Sequence, residues 1–258
     1  MLTVENTTVW LNKFADQIEQ HQSYLSELDT PIGDGDHGGN MARVATRYGD
    51  PDYPQASAKA LATALYLQRG IPIIYYGEEL GLTNIRYHDI ADFEDQTVPT
   101  FVASAQAAGK SKVEIMRMLN QTHKMAGRGP MQWDNTVYHG FSDHLPWKHG
   151  DTDDMNAQAE IADPDSIYHY YQQLLQLKQC APFTNGQFIM LGSAEQLFTY
   201  LIDDGQKQAA IVCNLSAQAQ TYLLPFVGGK VLLVQGGATY RGRQVTLPAW
   251  SSLVVKSA

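Results

Sequence analysis

Three aspartates, Asp29, Asp34 and Asp36, lie in the glycine-rich segment DTPIGDGDHGGN, residues 29–40. Carboxylates on a short glycine-rich loop can converge on a hard cation such as Mg²⁺, which proteins often share with substrate phosphates. The GGNMAR that follows can begin a helix whose N–H groups face an anion. Aspartate and glycine are also what ordinary turns contain. The spacing alone therefore leaves a metal site and a plain turn open.

A second set of acidic residues follows the apolar run IPIIYYG, residues 71–77. Its members form a pair and a cluster, namely Glu78 and Glu79, then Asp92, Glu94 and Asp95. Paired carboxylates after a buried strand can act as general acid and nucleophile on a sugar. The alternative is a solvated acidic loop, and it is favoured because most such charges stay exposed.

A third candidate is GRGPMQWD, residues 127–134, which combines arginine, glutamine, tryptophan and aspartate. These residue types suit a sugar, which offers hydroxyls to hydrogen-bond and an apolar ring face to stack. A packed loop anchored by Trp133 explains the same composition. The spacing does not separate the two interpretations.

The bulk properties exclude some function classes. The chain has 258 residues and a formal net charge of -9. An acidic chain without basic runs does not suit nucleic acid or an anionic membrane surface. The N-terminus resembles no signal peptide, and no apolar run is long enough to span a membrane. Cys180 and Cys213 are predicted to be buried free thiols, a single disulfide being the alternative, and the predicted location is the cytoplasm.

The elements that must position these residues follow from periodicity and turn signals. Helices are predicted over 4–26, 54–69 and 164–180, the last with Asp163 as its N-cap and Pro164 in its first turn, and one or two helices are predicted over 99–121. Residues 71–76 are predicted to form a buried strand, residues 78–98 to be a loop, and residues 126–163 to be an ordered irregular loop. After residue 185, seven short β-rich runs at regular spacing predict an antiparallel sandwich-like domain. The runs are GQFIML, QLFTYLI, QAAIVCN, QTYLLP, GKVLLVQ, RQVTLP and SSLVVK.

The larger part of the chain resembles a known family. SAKALATALYLQRGIPIIYYGEELGLTN, ADFED, GRGPMQWD, GFSDHLPW and NAQAEIADPDSIYHYYQQLLQLK occur in family order. Together they resemble the C-terminal half of glycoside hydrolase family 13, whose nearest members are oligo-1,6-glucosidases, dextran glucosidases and trehalose-6-phosphate hydrolases. The resemblance covers residues 43–258. It implies a (β/α)₈ barrel, with active sites at the C-terminal ends of the strands, followed by an antiparallel β-domain.

The expected fold class is therefore mixed α/β. It comprises an N-terminal helix and loop at 1–43, a remnant of a (β/α)₈ barrel at 44–184 and a C-terminal antiparallel β-sandwich domain at 185–258. Residues 71–76 correspond to the eighth barrel strand. The resemblance also implies substrate-binding residues, Arg128 and Lys124, where Lys124 replaces the family's arginine. Tyr76 likewise replaces a glutamine.

No catalytic residue of the family has a counterpart in this sequence. The family uses an aspartate nucleophile, a glutamate acid/base and a second aspartate in an N-H-D motif after strand seven. The first two would lie upstream of the resembling region. An ungapped alignment places Gly39 at the histidine and Asn40 at the aspartate of the third motif. The resemblance therefore implies an oligosaccharide as partner without hydrolysis by this chain alone.

The N-terminal segment resembles a different family. MLTVENTTVWLNKF and YLSELDTPIGDGDHGGNMAR, within residues 1–43, resemble the opening of the ADP-binding L subunit of the phosphotransferase-dependent dihydroxyacetone kinase. This implies that Asp29, Asp34 and Asp36 ligate Mg²⁺. It also implies that ADP is the nucleotide bound, next to His37, Asn40 and Met41.

Three hypotheses remain open from the sequence. The chain is an α-glucosidase relative without its catalytic carboxylates, a Mg-ADP-binding kinase fragment, or the non-enzymatic product of a recombined gene. In the third, the β-domain folds and the barrel remnant does not. The sequence gives no prediction of the oligomeric state.

Overall fold

The computed structural model describes residues 50–192 and 196–257. The helices described are α1 Pro54–Tyr66, α2 Val98–Ala107, α3 Lys112–Thr122, α4 Ala157–Ala162 and α5 Ile167–Lys178. Short 3₁₀ turns cover Glu78–Leu80, Ile90–Phe93 and Lys124–Gly127. The strands are β1 Gln187–Met190, β2 Leu197–Asp203, β3 Gln208–Asn214, β4 Gln220–Leu223, β5 Lys230–Gln235, β6 Thr239–Arg241, β7 Gln244–Leu247 and β8 Ser252–Lys256.

The strands form two antiparallel sheets. The larger has the order β1-β2-β3-β8-β5 and the smaller the order β4-β7-β6. The prediction of an antiparallel β region after residue 185 is confirmed. Seven of the strands coincide with the predicted runs, while β6 was missed because it is three residues long and carries the polar ends Thr239 and Arg241.

The larger sheet is covered on both faces. On β3, Ala209, Ile211 and Cys213 face one apolar cluster, while Ala210 and Val212 face another. The first cluster contains α1 and α5, and the second contains β7 and neighbouring residues of the smaller sheet. A strand buried on both faces is apolar at successive positions, which explains why QAAIVCN lacks a polar alternation.

Helices α1 and α5 share their core with the larger sheet. The Tyr170 hydroxyl on α5 lies 2.5 Å from the Thr63 hydroxyl on α1. Thr63 Oγ1 in turn accepts a hydrogen bond of 3.1 Å from Ser252 Oγ on β8. These hydroxyls are buried, so each needs its partner. The helices and the β-region are therefore joined by a continuous buried network as well as by apolar contacts.

Helix α5 begins later than predicted. Ser166 is its N-cap, and its hydroxyl accepts a hydrogen bond from the backbone N–H of His169. The predicted cap, Asp163, accepts from the N–H of Asp165 within the preceding turn. The Glu160 carboxylate accepts from the N–H of Ile167 at 2.9 Å. Side chains therefore supply acceptors for free backbone N–H groups in the first turn of α5.

The predicted buried strand at 71–76 is wrong for this structure. The segment runs without β-pairing, and the side chains of Ile71 and Ile73 are 89% and 75% exposed. Ile74 packs against the core formed by α1, α5 and the larger sheet. A strand exists only when neighbouring strands accept and donate its backbone hydrogen bonds, and the described residues offer this segment no such neighbour.

A further helix, α4, and the surroundings of the two cysteines differ from the sequence predictions. Helix α4 lies inside the predicted loop 126–163 because Asn156 caps it, accepting from the N–H of Ala159. Both cysteines are free, as predicted, but Cys180 is exposed just beyond the end of α5, whereas Cys213 is buried. No helix among the described residues is long and apolar enough to cross a membrane.

Candidate functional site

A cleft of about 620 Å³ lies next to Tyr76 and Glu79, which form part of its lining. Its lining combines charged side chains with aromatic ones, namely Glu79, Arg128 and Lys148 with Tyr76, Trp133, Phe141 and Trp147. Trp133 and Phe141 are each 52% exposed, and Trp147 is 78% exposed. Exposed aromatic faces beside charged hydrogen-bonding groups can hold a polyhydroxylated ring by stacking and by hydrogen bonds.

Two glycines determine the directions in which the side chains of Glu78 and Glu79 point. Gly77 and Gly81 have φ values of 84° and 70° and flank the 3₁₀ turn Glu78–Leu80. The N–H of Gly81 donates to the carbonyl of Glu78 at 3.0 Å and closes that turn. Successive side chains of a 3₁₀ turn point about a third of a turn apart. Glu78 consequently enters the interior, while Glu79 lines the cleft.

Glu78 is a buried carboxyl with two hydroxyl donors. Its Oε1 atom accepts hydrogen bonds from Tyr66 Oη on α1 at 2.8 Å and from Tyr171 Oη on α5 at 2.7 Å. Its Oε2 atom is buried and has no partner among the described residues. Burial raises the pKa of Glu78 to about 7, because a charged carboxylate is poorly solvated there. The unpartnered Oε2 is the natural position for the proton.

The interpretation of Glu78 as part of a solvated acidic loop is therefore wrong, since only 3% of the residue is exposed. Its neighbour Glu79 is partly buried, and burial raises the pKa of Glu79 as well. Among the described residues that line the cleft, Glu79 is the single carboxylate. The structure thus places the two members of the pair in different surroundings.

The ADFED cluster fits the solvated interpretation at Asp92 and Glu94, which are exposed. Asp95 is different, because a hydrogen bond from the Thr97 hydroxyl, at 2.6 Å, helps to lower its pKa to about 2. Its other carboxylate oxygen lies 3.3 Å from Lys124 Nζ. None of the three acidic residues lines the cleft.

The two predicted substrate-binding residues are separated. Arg128 lines the cleft, and its Nη1 lies 3.8 Å from Met125 Sδ. Lys124 forms its ion pair with Asp95 and does not belong to the cleft lining. Their roles in substrate binding stay predictions, with Arg128 the better placed.

One wall of the cleft depends on a lysine that the sequence did not single out. Lys148 is 7% exposed, and its Nζ donates to Glu94 Oε2 at 2.8 Å and to the carbonyl of Asp92. The same Nζ lies 4.9 Å from the centre of the Trp147 ring. Cation–π contact and the ion pair together hold this aromatic side chain against the ADFED segment.

The opposite wall is the loop that begins at GRGPMQWD. The N–H of Trp133 donates to the carbonyl of His139 at 2.8 Å, and the Asp134 carboxylate accepts from Thr136. Tyr76 Oη donates to the carbonyl of Gly129 at 2.8 Å and ties this loop to the segment after Ile74. The prediction of an ordered irregular loop is confirmed for these residues.

Sequence reasoning missed Phe141 and Trp147 in the cleft and Tyr66 and Tyr171 around Glu78. Phe141 and Trp147 belong to GFSDHLPW, where two large apolar residues in a polar loop are a signal for a binding surface. The tyrosines lie on the buried faces of their helices. Nothing in a periodic pattern distinguishes a core tyrosine from one that binds a carboxyl.

The N-terminal candidates lie outside the described residues. They are the predicted metal ligands Asp29, Asp34 and Asp36 and the predicted nucleotide neighbours His37, Asn40 and Met41, together with the helix predicted over 4–26. In the part that the structure describes, no cluster of three or more histidine, cysteine or acidic residues could hold a metal ion. The Mg²⁺ and ADP site stays a prediction.

Replacing Gly81 with alanine tests how firmly the glutamate turn is held. The left-handed backbone costs an ordinary residue about 1 kcal/mol, and the added Cβ collides with Ile167 Cδ1 on α5. We expect a loss of about 2–4 kcal/mol in the free energy of unfolding. The control is Gly205→Ala, where φ is 85° but no atom lies within 4 Å of the new Cβ. Equal losses in urea denaturation would contradict the packing argument.

A match to a family model establishes the family to which the chain belongs. The model of the alpha-amylase catalytic domain matches residues 5–186, and a domain of unknown function, DUF3459, matches residues 194–254. The chain belongs to the alpha-amylase catalytic domain family. The resemblance to glycoside hydrolase family 13 is thereby confirmed, with a catalytic-domain fragment followed by antiparallel sheets.

Curated relatives in this family are longer than the chain. The glucan 1,6-alpha-glucosidase of Streptococcus pneumoniae is 32% identical over 221 residues, covering 84% of this chain and 41% of the relative. The oligo-1,6-glucosidase of Parageobacillus thermoglucosidasius is 33% identical over 208 residues, covering 78% and 35%. The chain therefore spans about two fifths or less of the length of these relatives.

A solved structure agrees with the sequence matches. The trehalose-6-phosphate hydrolase of Bacillus licheniformis superposes with a TM-score of 0.75 at 30% identity, covering 83% of this chain and 41% of that one. The family match also takes in residues 5–43, where the kinase-like motif lies. The comparisons thus give no support to a kinase fusion.

Proposed function

We propose that this chain binds α-1,6-linked glucose oligosaccharides in the cleft and does not hydrolyse them by itself. The observation that carries the proposal is the cleft lining, in which Trp133, Phe141 and Trp147 stand beside Arg128 and Glu79. The tryptophan faces suit the apolar side of a glucose ring, and the guanidinium and carboxylate suit its hydroxyls. The names of the relatives, glucan 1,6-alpha-glucosidase and oligo-1,6-glucosidase, point to the same sugars.

The lack of hydrolysis follows from the number of carboxylates. A retaining glycosidase needs two carboxyl groups, one on each side of the scissile bond. Glu79 is the one carboxylate in the described cleft lining, while Glu78 is turned away and hydrogen-bonded to two tyrosines. Removing one member of such a pair costs orders of magnitude in rate.

Titration with isomaltose, followed by tryptophan fluorescence, tests the proposal. We expect saturable binding, and we expect Trp147→Ala to weaken it about three- to tenfold, as loss of one aromatic contact does. The substitution should leave the melting temperature unchanged, because most of this side chain is exposed. Val137→Ala is the control, since Val137 lies in the same loop, is 84% exposed and does not line the cleft.

Two results would contradict the proposal. One is the absence of any isomaltose signal up to the concentrations at which weak sugar sites saturate. The other is turnover of an aryl α-glucoside that Glu79→Gln abolishes, which would make Glu79 a working catalytic group. Trehalose 6-phosphate, tested in the same way, distinguishes the glucan-cleaving relatives from the trehalose-6-phosphate hydrolases.

A second function is favoured only by the aspartate loop of the sequence. Under that hypothesis, Asp29, Asp34 and Asp36 bind Mg²⁺ and ADP in a kinase-like segment. The family match gives it no support, and the three aspartates lie outside the described residues. The glucosidase relationship covers far more of the chain and remains our conclusion.

A further inference from the structure

A second cavity, of about 390 Å³, lies where α1, α5 and β5 meet. Small-molecule sites occupy a similar range, about 300–1,000 Å³. The cavity shares no lining residue with the cleft described above. Its lining includes polar, aromatic and apolar side chains from all three elements, namely Gln55, Lys59, Tyr170, Gln173, Val234 and Gln235. The described part of the chain therefore has a second concave surface, which the cleft does not account for.

Lys59 supplies hydrogen-bond donors to this cavity. Its Nζ donates to the backbone carbonyl of Asp165 and lies 5.8 Å from the centre of the Tyr170 ring. An ammonium group has three N–H donors, and among the described residues Nζ has this one acceptor. The side chain is partly buried, and burial lowers the pKa of Lys59 because the charge is poorly solvated there. A ligand that brings oxygen acceptors into the cavity would complete the hydrogen bonding of this ammonium.

The glutamines of the cavity fall into two groups. The amides of Gln55 on α1 and Gln173 on α5 are exposed, and neither makes a hydrogen bond within the described part of the chain. Gln235 on β5 is 7% exposed, and its Nε2 donates to the carbonyls of Ala56 and Trp250 at 3.3 and 3.1 Å. One wall is therefore fixed by internal hydrogen bonds, while two amides on the rim can bind a ligand.

The charges around the cavity favour a neutral ligand. The carboxylates of Asp165, Glu160 and Asp163 act on the Lys59 ammonium and favour its charged form. Three negative charges beside one positive charge disfavour an anion, and the ammonium disfavours a cation at the same place. Sugar hydroxyls accept from an ammonium and both donate to and accept from amides. Val234, which is 48% exposed, offers apolar surface to the C–H groups of a sugar ring.

We propose that the cavity between α1, α5 and β5 is a second binding site, for one neutral sugar ring, whose hydroxyls are bound by Lys59, Gln55 and Gln173. The two sites have no lining residue in common. Binding here consequently depends neither on hydrolysis nor on occupation of the cleft.

Acetylation of the lysines of the whole chain, followed by peptide mass spectrometry, tests this site with methyl α-glucoside as the probe. This sugar is non-reducing, so it does not itself attach to amines. We expect Lys59 to react about tenfold more slowly when the sugar is at ten times its dissociation constant, because about a tenth of the sites then remain free. Lys112, whose side chain is 67% exposed and lines neither cavity, should react at an unchanged rate.

A double variant tests the contacts on the rim. Changing both Gln55 and Gln173 to alanine should weaken the protection of Lys59 about tenfold, since two hydrogen bonds to the sugar are lost. Both side chains are exposed, so the melting temperature should not change. Gln176→Ala is the matched control, because Gln176 is exposed on α5 and does not line the cavity.

The variant Trp147→Ala separates this site from the cleft. It removes an aromatic side chain of the cleft, and we expect the protection of Lys59 to stay as it is in the wild type. Protection that is lost in this variant would mean that sugar in the cleft shields Lys59 indirectly, which contradicts a second site. Protection of Lys59 without any isomaltose binding in the cleft would support the second site and contradict the proposed function.

Three further results would overturn the inference. Lys59 does not react even in the free protein, which means that the cavity is closed in solution. Inorganic phosphate protects Lys59 as well as the sugar does, which makes the site one for anions. The double glutamine variant protects Lys59 as well as the wild type does, which places the sugar elsewhere.

Discussion

Replacing Glu78 with alanine is expected to lower the free energy of unfolding by at least about 3 kcal/mol at pH 6. The Tyr66 and Tyr171 hydroxyls would each lose their carboxyl partner inside the core, and a buried donor without an acceptor costs about 1–3 kcal/mol. The vacated volume adds a cavity cost. Chemical denaturation at pH 6, where Glu78 is mostly protonated, measures the loss.

Glu78→Gln is the matched control for this site. Glutamine has the same shape and keeps one carbonyl oxygen that can accept both tyrosine hydroxyls. We expect it to lose much less than alanine does at pH 6. If both variants lost the same free energy, the hydrogen bonds to the tyrosines would not be what makes Glu78 important.

The same site has a defined pH dependence. Burial raises the pKa of Glu78 in the folded protein from 4.5 to about 7, so the folded state binds this proton more tightly than the unfolded state does. This tighter proton binding stabilises the folded state fully below pH 4.5, and the stabilisation is lost as the pH rises through about 7. The size of the pKa change corresponds to about 3 kcal/mol.

The wild type and Glu78→Gln, compared from pH 4.5 to 7.5, isolate this contribution. Carboxyls remote from Glu78 titrate in both proteins and cancel in the difference, and the Glu78→Gln, Glu79→Gln double variant compared with Glu79→Gln removes the contribution of the coupled neighbour Glu79. We expect the stability of the wild type relative to the glutamine variant to fall across this interval. A constant difference would show that Glu78 ionises without penalty.

Replacing Tyr200 with alanine is expected to cost about 4 kcal/mol and to lower the stability of helices and strands together. Tyr200 lies on β2, is fully buried and contacts the Phe188 and Phe198 rings. Its hydroxyl donates to the carbonyls of Thr63 and Ala64, at 3.3 and 3.2 Å. These carbonyls belong to the last turn of α1, where the helix itself supplies no backbone N–H donors, and Ala64 O also accepts a hydrogen bond from Gln68 Nε2.

Calorimetry and circular dichroism check this prediction. At about 0.7 kcal/mol per residue, residues 50–257 unfolding together give roughly 140 kcal/mol, whereas residues 185–258 alone give roughly 50. We expect the larger value, and in Tyr200→Ala one transition at a lower temperature. Tyr200→Phe keeps the ring and should lose only about 1 kcal/mol. Helical signal that melts before the sheet signal would contradict the shared core.

Several features of this fold could be predicted because they depend on neighbours in sequence. The seven β runs after residue 185 are defined by apolar residues between turn residues, and their antiparallel pairing needs only short connections. Helices α1 and α5 are defined by apolar periodicity and by the prolines Pro54 and Pro164 near their predicted starts. The start of α5 was misplaced because Asp163 and Ser166 are both good caps, and Glu160 favours the second.

The candidate site was predictable in part, because some of its residues are also neighbours in sequence. GRGPMQWD and GFSDHLPW carry aromatic and charged residues close together in sequence, and the loops place Trp133 and Trp147 on one cleft. Lys124 was expected beside Arg128, but an ion pair with Asp95, 29 positions earlier in the chain, holds it elsewhere. A pairing between distant segments has no signature in local composition.

The sequence by itself determined the family relationship, the antiparallel β-region and the aromatic composition of the cleft, because order and spacing of residues carry that information. Only the tertiary structure decided the fate of the glutamate pair and of residues 71–76. Glu78 and Glu79 are adjacent and chemically identical, and they differ because Tyr66 and Tyr171, from two helices, meet around one of them. IPIIYY has the composition of a strand, yet a strand requires partners, and the described fold provides none.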